Sequence, residues 1–395
     1  MGIAPQYSRG KSGAVDPWRG RDLVSVRRFL LAVLLWIALP LLVVEVAMIV
    51  LDPLLFRGFY QYDEELGFRV RPGEYGSNEF GFNDRDYPLE REPGTFRILV
   101  LGDSFSWAGG KDGNYTTLME DRFAAYYGDR RVEVINAGYS MTHTVEQLAL
   151  LRKFGLRYAP DMVLLAFTAG NDFFDADPNR RRIVLNGLYI DVDRRSERSF
   201  LGYPLVPQSR LRLFVKQQLK IRSELAAGRK ETVLLGLPDD QPVFSEDTYL
   251  QIQAGRMRQC RKEVMRRGLF DPNIRYILDG ISSMEALLDE RGIAFAIAVI
   301  PAAFQVDTRL QDQVFERFSM KRRDYELDCV QGILGEFARA EGIQLFDLLP
   351  TFRAGQREED LYVHRDGHWN AAGNRLASEE LFERIRTRVR GGDPP

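Results

Sequence analysis

The chain predicts an α/β fold: a parallel five-stranded sheet with helices on both faces, set behind one membrane-spanning helix. Three observations carry this. From Thr95 onward, short β-rich apolar runs alternate with segments of helical period, the pattern of a parallel sheet with crossover helices. Residues 29–51 are almost uninterruptedly apolar and long enough to cross a bilayer. The apolar runs also stop at small polar turns, which collects their chemistry at the carboxyl edge where open α/β sheets bind ligands.

Composition sets outer limits. A length of 395 residues allows one large domain or two modest ones. A net charge of -2 gives no polyelectrolyte signal, so nucleic acid is not an expected partner. The two cysteines, Cys260 and Cys329, lack metal-type spacing. They form one disulfide if the domain is exported, or remain two buried thiols.

The N-terminal stretch reads as an address. Residues 1–28 are a cytoplasmic tail, disordered over 1–16. Arg19, Arg21, Arg27 and Arg28 precede the apolar run, and the positive-inside rule keeps that end cytoplasmic. The main domain is then expected in the periplasm or outside the cell. Pro40 is tolerable in such a helix, and Glu45 must snorkel, protonate or find a partner. A cleaved signal peptide is the rival reading, but no small-x-small site stands before Asp52. Residues 52–94 read as a linker, either a spacer or a segment that packs on the domain as irregular structure or a small hairpin, including Gly76-Ser77-Asn78-Glu79-Phe80-Gly81-Phe82-Asn83-Asp84.

Residues 95–395 form the main domain. Phe96–Leu101 is its first strand, Tyr115–Tyr127 a helix and Val132–Asn136 the second strand. Residues 145–158 place Val145, Leu148, Leu151 and Leu156 at helical spacing. Pro160-Asp161 leads into the third strand, Met162–Thr168. Residues 173–271 break the alternation and are too long for a simple loop, so they read as an insertion suited to a lid or cap. It holds a hairpin over 182–193, turning at Asn186-Gly187, and a basic amphipathic segment over 209–222. The apolar positions of that segment are expected to pack on the domain rather than on lipid. Then follow a helix over 281–290, the strand Ala294–Ile300 stopped by Pro301, a helix over 324–341, a fifth strand over 344–348 and the closing helix Ala371–Val389.

The chemistry starts at Gly102-Asp103-Ser104. A serine at a strand's carboxyl end is placed as a nucleophile, although a Gly-Asp-Ser turn also serves as a helix cap. An activated serine needs a base and a group to orient it. The chain offers three histidines, His143, His364 and His368. Two fall in Tyr362-Val363-His364-Arg365-Asp366-Gly367-His368-Trp369-Asn370, just before the last helix. There Asp366 can reach His368 within one loop, or the loop is a helix start capped by Asn370. Asn136-Ala137-Gly138 and Gly170-Asn171-Asp172 follow the second and third strands. Gly138 N–H and the Asn171 amide are donors of the kind an oxyanion hole uses. The histidines form no ligand cluster, and Asp103 and Asp172 have local structural roles, so no cofactor or metal is expected.

In order, Gly102-Asp103-Ser104, Gly138, Gly170-Asn171-Asp172 and the Asp366/His368 loop resemble the four blocks of the SGNH (GDSL-like) hydrolase superfamily. The resemblance runs from residue 97 to the C-terminus. It implies a flavodoxin-like three-layer α/β/α fold and acyl-ester chemistry. It makes Ser104 the nucleophile, His368 the base and Asp366 its orienter, with Ser104 N–H, Gly138 N–H and the Asn171 side chain as oxyanion hole. The common pattern places aspartate three residues before histidine. Here Arg365 holds that position and the aspartate lies two before. The Asp-x-His-Trp form resembles the motif of the alginate O-acetyltransferase branch, where it precedes the serine block. His364 is the reserve base, and His143 a helix-start or substrate-contact residue. The implied protein is a membrane-anchored serine ester hydrolase or O-acyltransferase. Its partners are the membrane and an acyl ester or acylated cell-envelope glycan. The alternative is a catalytically degenerate relative that binds glycan or assists envelope assembly.

Overall fold

The computed structural model describes residues 21–55, 59–73, 76–128, 132–185, 188–195, 198–200, 203–206, 208–226 and 244–389. The expected disordered tail over 1–16 and the turn Asn186-Gly187 lie outside the described residues.

Strands β1 (Tyr60–Asp63) and β2 (Gly67–Val70) pair antiparallel ahead of the main sheet. Strands β3 (Phe96–Leu101), β4 (Val132–Asn136) and β5 (Met162–Thr168) follow. The insertion contributes two antiparallel pairs, β6 (Arg180–Leu185) with β7 (Leu188–Asp193) and β8 (Arg198–Phe200) with β9 (Tyr203–Leu205). Strands β10 (Ala294–Ile300) and β11 (Gln344–Asp347) complete the main sheet. Its order is β11-β10-β5-β3-β4, with every neighbouring pair parallel. This is the flavodoxin-like arrangement. The direction of winding reverses at β3, the switch point beside which such sheets hold ligands. The register pairs Val100 with Asn136 and Leu101 with Leu165, so the turns after β3, β4 and β5 emerge at one edge.

The period-2 alternation of the strands builds two cores. Leu99, Leu101, Val163, Leu165, Ile297 and Val299 face one side and meet the helices Thr144–Lys153, Asp271–Asp289 and Cys329–Glu341. Ile98, Val100, Leu164, Ala166, Ala298 and Ile300 face the other and meet Tyr115–Tyr127, Leu349–Gly355 and Ala371–Val389. The first core also takes Val70, Phe80, Phe82 and Tyr87, so the segment ahead of β3 packs on the domain.

Several boundaries differ from the sequence expectation for tertiary reasons. The helix expected over 145–158 ends at Lys153 and tightens to a 3-10 turn over Gly155–Tyr158. There a Cβ on Gly155 would stand 2.6 Å from Leu99 Cδ2, so this turn presses against the sheet. The helix expected over 281–290 starts at Asp271, with Pro272 in its first turn, and runs through Gly280, where it closes on Val145. The helix expected from 324 starts at Cys329, because Tyr325 is drawn into a bridge with Arg261. The helices Glu246–Met257 and Thr308–Arg317 were not anticipated, and they share a small satellite core with Tyr249, Phe304 and Val314.

Cys260 and Cys329 form a disulfide across a sequence separation of 69, tying the end of the insertion to the start of the helix Cys329–Glu341. A closed loop of that length is worth about 4 kcal/mol in the chain-entropy account. Urea unfolding with and without reductant is expected to show a loss of roughly that size.

The apolar N-terminal run lies within one helix, Arg21–Leu55, whose stretch Ser25–Leu51 is long and apolar enough to cross a membrane. The basic amphipathic segment is the helix Arg210–Ala226. It departs in part from expectation. Leu213 packs on Ile183, Leu185, Ile190 and Val192 of the β6–β7 hairpin, but Val215 and Leu219 are exposed.

Candidate active site

Ser104 opens a single 3-10 turn directly after β3. Asp103 Oδ1 accepts the Phe105 N–H at 3.0 Å and so caps that turn, leaving the serine, not the aspartate, to face the edge. Both readings of the turn therefore describe it: Asp103 is the cap and Ser104 is presented by it. The space behind it is tight. A Cβ on Gly102 would stand 2.2 Å from Ser106 Oγ, and one on Gly138 2.3 Å from Ser106 Cβ. Ser106 is fully buried and bonds Tyr115 Oη at 2.7 Å. Glycine is required at both turns by this close approach.

Ser104 Oγ lies 2.8 Å from His368 Nε2, and His368 Nδ1 lies 2.7 Å from Asp366 Oδ1. The base loop is a tight hairpin closed by a bridge between Tyr362 and Trp369 and by the Val363 N–H donating to His368 O. Arg365 at φ 54° and Gly367 at φ 102° fold it back sharply. That curl brings a carboxylate only two residues away alongside the imidazole, so the short Asp-to-His spacing is no obstacle to contact. Trp369 anchors the loop, stacked on Phe352 at 4.8 Å and edge-on to Phe105 at 5.2 Å. Asn370 accepts the Gly373 N–H and caps the closing helix, as the alternative reading of the loop anticipated.

The other two turns lean on the serine turn. Gly102 O accepts the Tyr139 N–H at 3.0 Å, which ties the turn after β4 to that after β3. Gly138 N–H donates to Asn136 Oδ1 at 3.1 Å, so an oxyanion there must share or displace that bond. Asn171 Nδ2 donates to Asp103 Oδ2 at 3.1 Å. An amide nitrogen carries two hydrogens, so one remains to be offered. Asp172 is fully buried and accepts the Thr168 N–H. Burial, reinforced by the Asp103 charge, holds its carboxyl well above the usual range.

The remaining histidines sit elsewhere. His143 begins the helix Thr144–Lys153 and pairs with Glu146 at 2.7 Å. His364 is exposed and lines a 590 Å³ groove with Glu246, Tyr249, Arg309, Asp360 and Arg365, on the outer side of the base loop. A second cleft of 290 Å³ is lined by Met141, His143, Asp175, Arg180, Arg182 and Asp191. Arg256 was not anticipated. It belongs to the helix Glu246–Met257 and comes near both Gly170 and Gly367, one on each side of the site. Nothing near the motifs in sequence marks it. Among the described residues no cluster of three or more His, Cys, Asp or Glu is placed to hold a metal ion.

The segment ahead of β3 supports the turn after β4. Asp84 accepts the N–H groups of Asn136 and Arg85, both at 2.7 Å, and Asn136 in turn holds Gly138 N–H and donates to Ser106 O. Burial first, with help from the Glu120 charge, pushes Asp84 up from 3.8 to about 7 against the pull of those N–H groups. The folded state thus binds this proton more tightly than the unfolded chain. Its contribution to stability is complete below pH 4 and lost as pH rises through 7. Asp84→Asn lacks this titration, so its stability relative to wild type is expected to rise between pH 4 and 7, by up to roughly 4 kcal/mol, on top of a pH-independent loss where its amide nitrogen faces one of those N–H groups. Urea midpoints of both proteins across that range measure the gain.

Residues 262–394 match the family model described as ALGX, SGNH hydrolase-like domain, acetyltransferase AlgX. That stretch contains the base loop but not the serine turn. Solved structures similar to the chain include the acetyl xylan esterase AlAXEase, at 14% identity over 73% of this chain and 100% of that one, TM-score 0.39. The psychrotrophic esterase EstA from Pseudoalteromonas sp. is similar at 14% identity over 75% and 99%, TM-score 0.35. Axe2, an acetylxylan esterase from Geobacillus stearothermophilus, is similar at 11% over 73% and 94%, TM-score 0.39. No curated protein matches by sequence. Residues 262–394 are thus similar to an SGNH hydrolase-like domain, and they fold together with the serine turn on one parallel five-stranded sheet.

Proposed function

We propose that the protein is a membrane-anchored serine esterase or O-acyltransferase, acting through an acyl-serine on an acylated envelope carbohydrate. The observation that carries this is the continuous relay from Ser104 Oγ through His368 to Asp366, with both contacts under 3 Å. In this reading His368 Nε2 takes the hydroxyl proton as Ser104 Oγ attacks the acyl carbonyl. Asp366 fixes the imidazole and balances its positive charge. Ser104 N–H, Gly138 N–H and Asn171 Nδ2 are the donors proposed for the oxyanion. The bond from the acyl carbon to the leaving oxygen breaks, and His368 returns the proton to that oxygen. Water or a sugar hydroxyl then attacks the acyl-serine and gives its proton to His368; the bond from the acyl carbon to Ser104 Oγ breaks, and His368 passes the proton to that oxygen.

The 290 Å³ cleft is lined largely by charged and polar side chains, and the 590 Å³ groove sets such side chains among Leu250, Ala303, Leu310 and Val363. Such walls suit a carbohydrate bearing a short acyl group better than a long aliphatic chain. The apolar stretch Ser25–Leu51 supports anchoring, with the Arg27/Arg28 end cytoplasmic and the domain on the far side. The disulfide supports the same exported placement.

A fluorophosphonate probe on the full chain is expected to label wild type and leave Ser104→Ala unlabelled. Equal labelling of the two removes Ser104 from the nucleophile role. A chromogenic acetate ester assayed with and without an acyl-accepting glycan then separates the two outcomes. A transferase moves acetyl to the glycan, whereas an esterase releases acetate in either case.

A further inference from the structure

Glu45 lies inside the apolar stretch Ser25–Leu51, where a carboxylate needs a partner. It has one in the insertion. Ser209 Oγ donates to Glu45 Oε2 at 2.8 Å, Leu211 N–H donates to the same oxygen at 3.1 Å, and Arg210 N–H donates to Oε1. These groups open the helix Arg210–Ala226. Glu45 therefore caps that helix from another helix, satisfying its first free N–H groups and facing the positive end of its dipole.

We propose that the helix Arg210–Ala226 lies in the outer interface of the bilayer, pinned there by Glu45, with anionic lipid headgroups as the partner of its exposed face. The inference rests on the reading of residues 25–51 as membrane-spanning, and depth is its first support. From Arg28 to Glu45 the helix rises ~26 Å at 1.5 Å per residue. With Arg27 and Arg28 at the inner boundary, that rise nearly crosses a hydrocarbon core of ~30 Å. Glu45 then stands at the outer boundary, and a helix capped by it starts at that level.

The face is the second support. Leu213 points inward to the β6–β7 hairpin. Val215 and Leu219 are 47% and 60% exposed, and Arg212, Lys216 and Arg222 are exposed beside them. Positions 212, 215, 216, 219 and 222 recur at three- and four-residue spacing and so share one face. Apolar side chains flanked by cations are what an interfacial helix presents to acyl chains and phosphate. The hairpin that grips Leu213 also supplies Arg180, Arg182 and Asp191 to the 290 Å³ cleft. Docking this helix therefore fixes how that cleft is held over the membrane.

The test uses the full chain in nanodiscs of phosphatidylcholine and phosphatidylglycerol. The native cysteines are paired, so a cysteine added by Leu219→Cys or Val215→Cys takes a single environment-sensitive fluorophore. Glu379→Cys, exposed on the closing helix, is the control. Circular dichroism checks that each labelled chain is folded. Lipid carrying a shallow spin label is expected to quench the Leu219 and Val215 probes at least twofold more than the control. Arg212→Glu with Lys216→Glu should reduce the excess when phosphatidylglycerol is present. Equal quenching at all three sites, in a chain that floats with vesicles, overturns the interfacial helix and leaves the anchor standing. A chain that fails to float overturns the anchor and this proposal with it.

Discussion

Ser104→Ala is expected to lower turnover of a small acetate ester by about 10⁶-fold, leaving the residue of catalysis that binding and oxyanion donors alone supply. His368→Ala should fall about as far, and the double substitution no further, because nucleophile and base act as one unit. Asp366→Asn should fall less, by about 10⁴-fold, since it spares the serine and base but favours the wrong imidazole tautomer. The ordering is the informative part. The loop that holds Asp366 2.7 Å from His368 is curled by Arg365 and Gly367. If the carboxylate were a structural feature of that curl alone, Asp366→Asn would keep activity within a few-fold of wild type. kcat/KM for all four variants, normalised to the folded fraction by circular dichroism, measures the series. Retention of activity within tenfold in Ser104→Ala would remove it from the role proposed here.

The site was legible where its geometry is local. Strand β3 is buried on both faces and so reads as an apolar run, and its end is marked by glycine and aspartate. The base loop was legible because histidine is scarce and because Asp366 and His368 share one hairpin. Even the departure from the common spacing was visible, although its resolution was not. It depends on left-handed backbone at Arg365, which no side chain announces. What stayed hidden is what distant segments do to one another. Asn171 is steered by Asp103, 68 residues earlier. Arg256 reaches the site from a helix whose own pattern carries no chemical motif. Gly138 looked free to offer its N–H, yet Asn136 two residues away already takes it. Glu45 looked like a flaw in an apolar helix, and its partners lie over 160 residues away. In each case the sequence shows the group and only the fold shows its neighbour.

The opposite end of β3 supplies the second large effect, on stability rather than chemistry. Arg97 is 1% exposed, and its guanidinium bonds Glu133 Oε2 at 2.7 Å on the neighbouring strand β4. It also donates to the carbonyls of Pro88, Leu89 and Tyr158, while Asp161 accepts the Arg97 backbone N–H. One cation thus ties the segment ahead of β3, the strand pair and the turn before β5. Arg97→Ala takes the cation away from the buried Glu133 carboxylate and the donors away from three carbonyls at once. The expected loss is about 3–5 kcal/mol, the range for breaking one side of a buried ion pair. Replacing both charges, by Arg97→Met with Glu133→Leu, removes that carboxylate as well but still leaves the three carbonyls without their donor. It should therefore recover only part of the loss, in contrast to buried pairs that are satisfied by each other alone. Urea unfolding of the three proteins decides this. Full recovery in the double variant would mean that the carbonyl contacts contribute nothing, and that the pair is held for its charges only. Because Ser104 lies in the turn beyond the far end of that strand, the folded fraction of each variant should keep its probe labelling. Stability and chemistry would then separate between the two ends of a single six-residue strand and the turn that follows it.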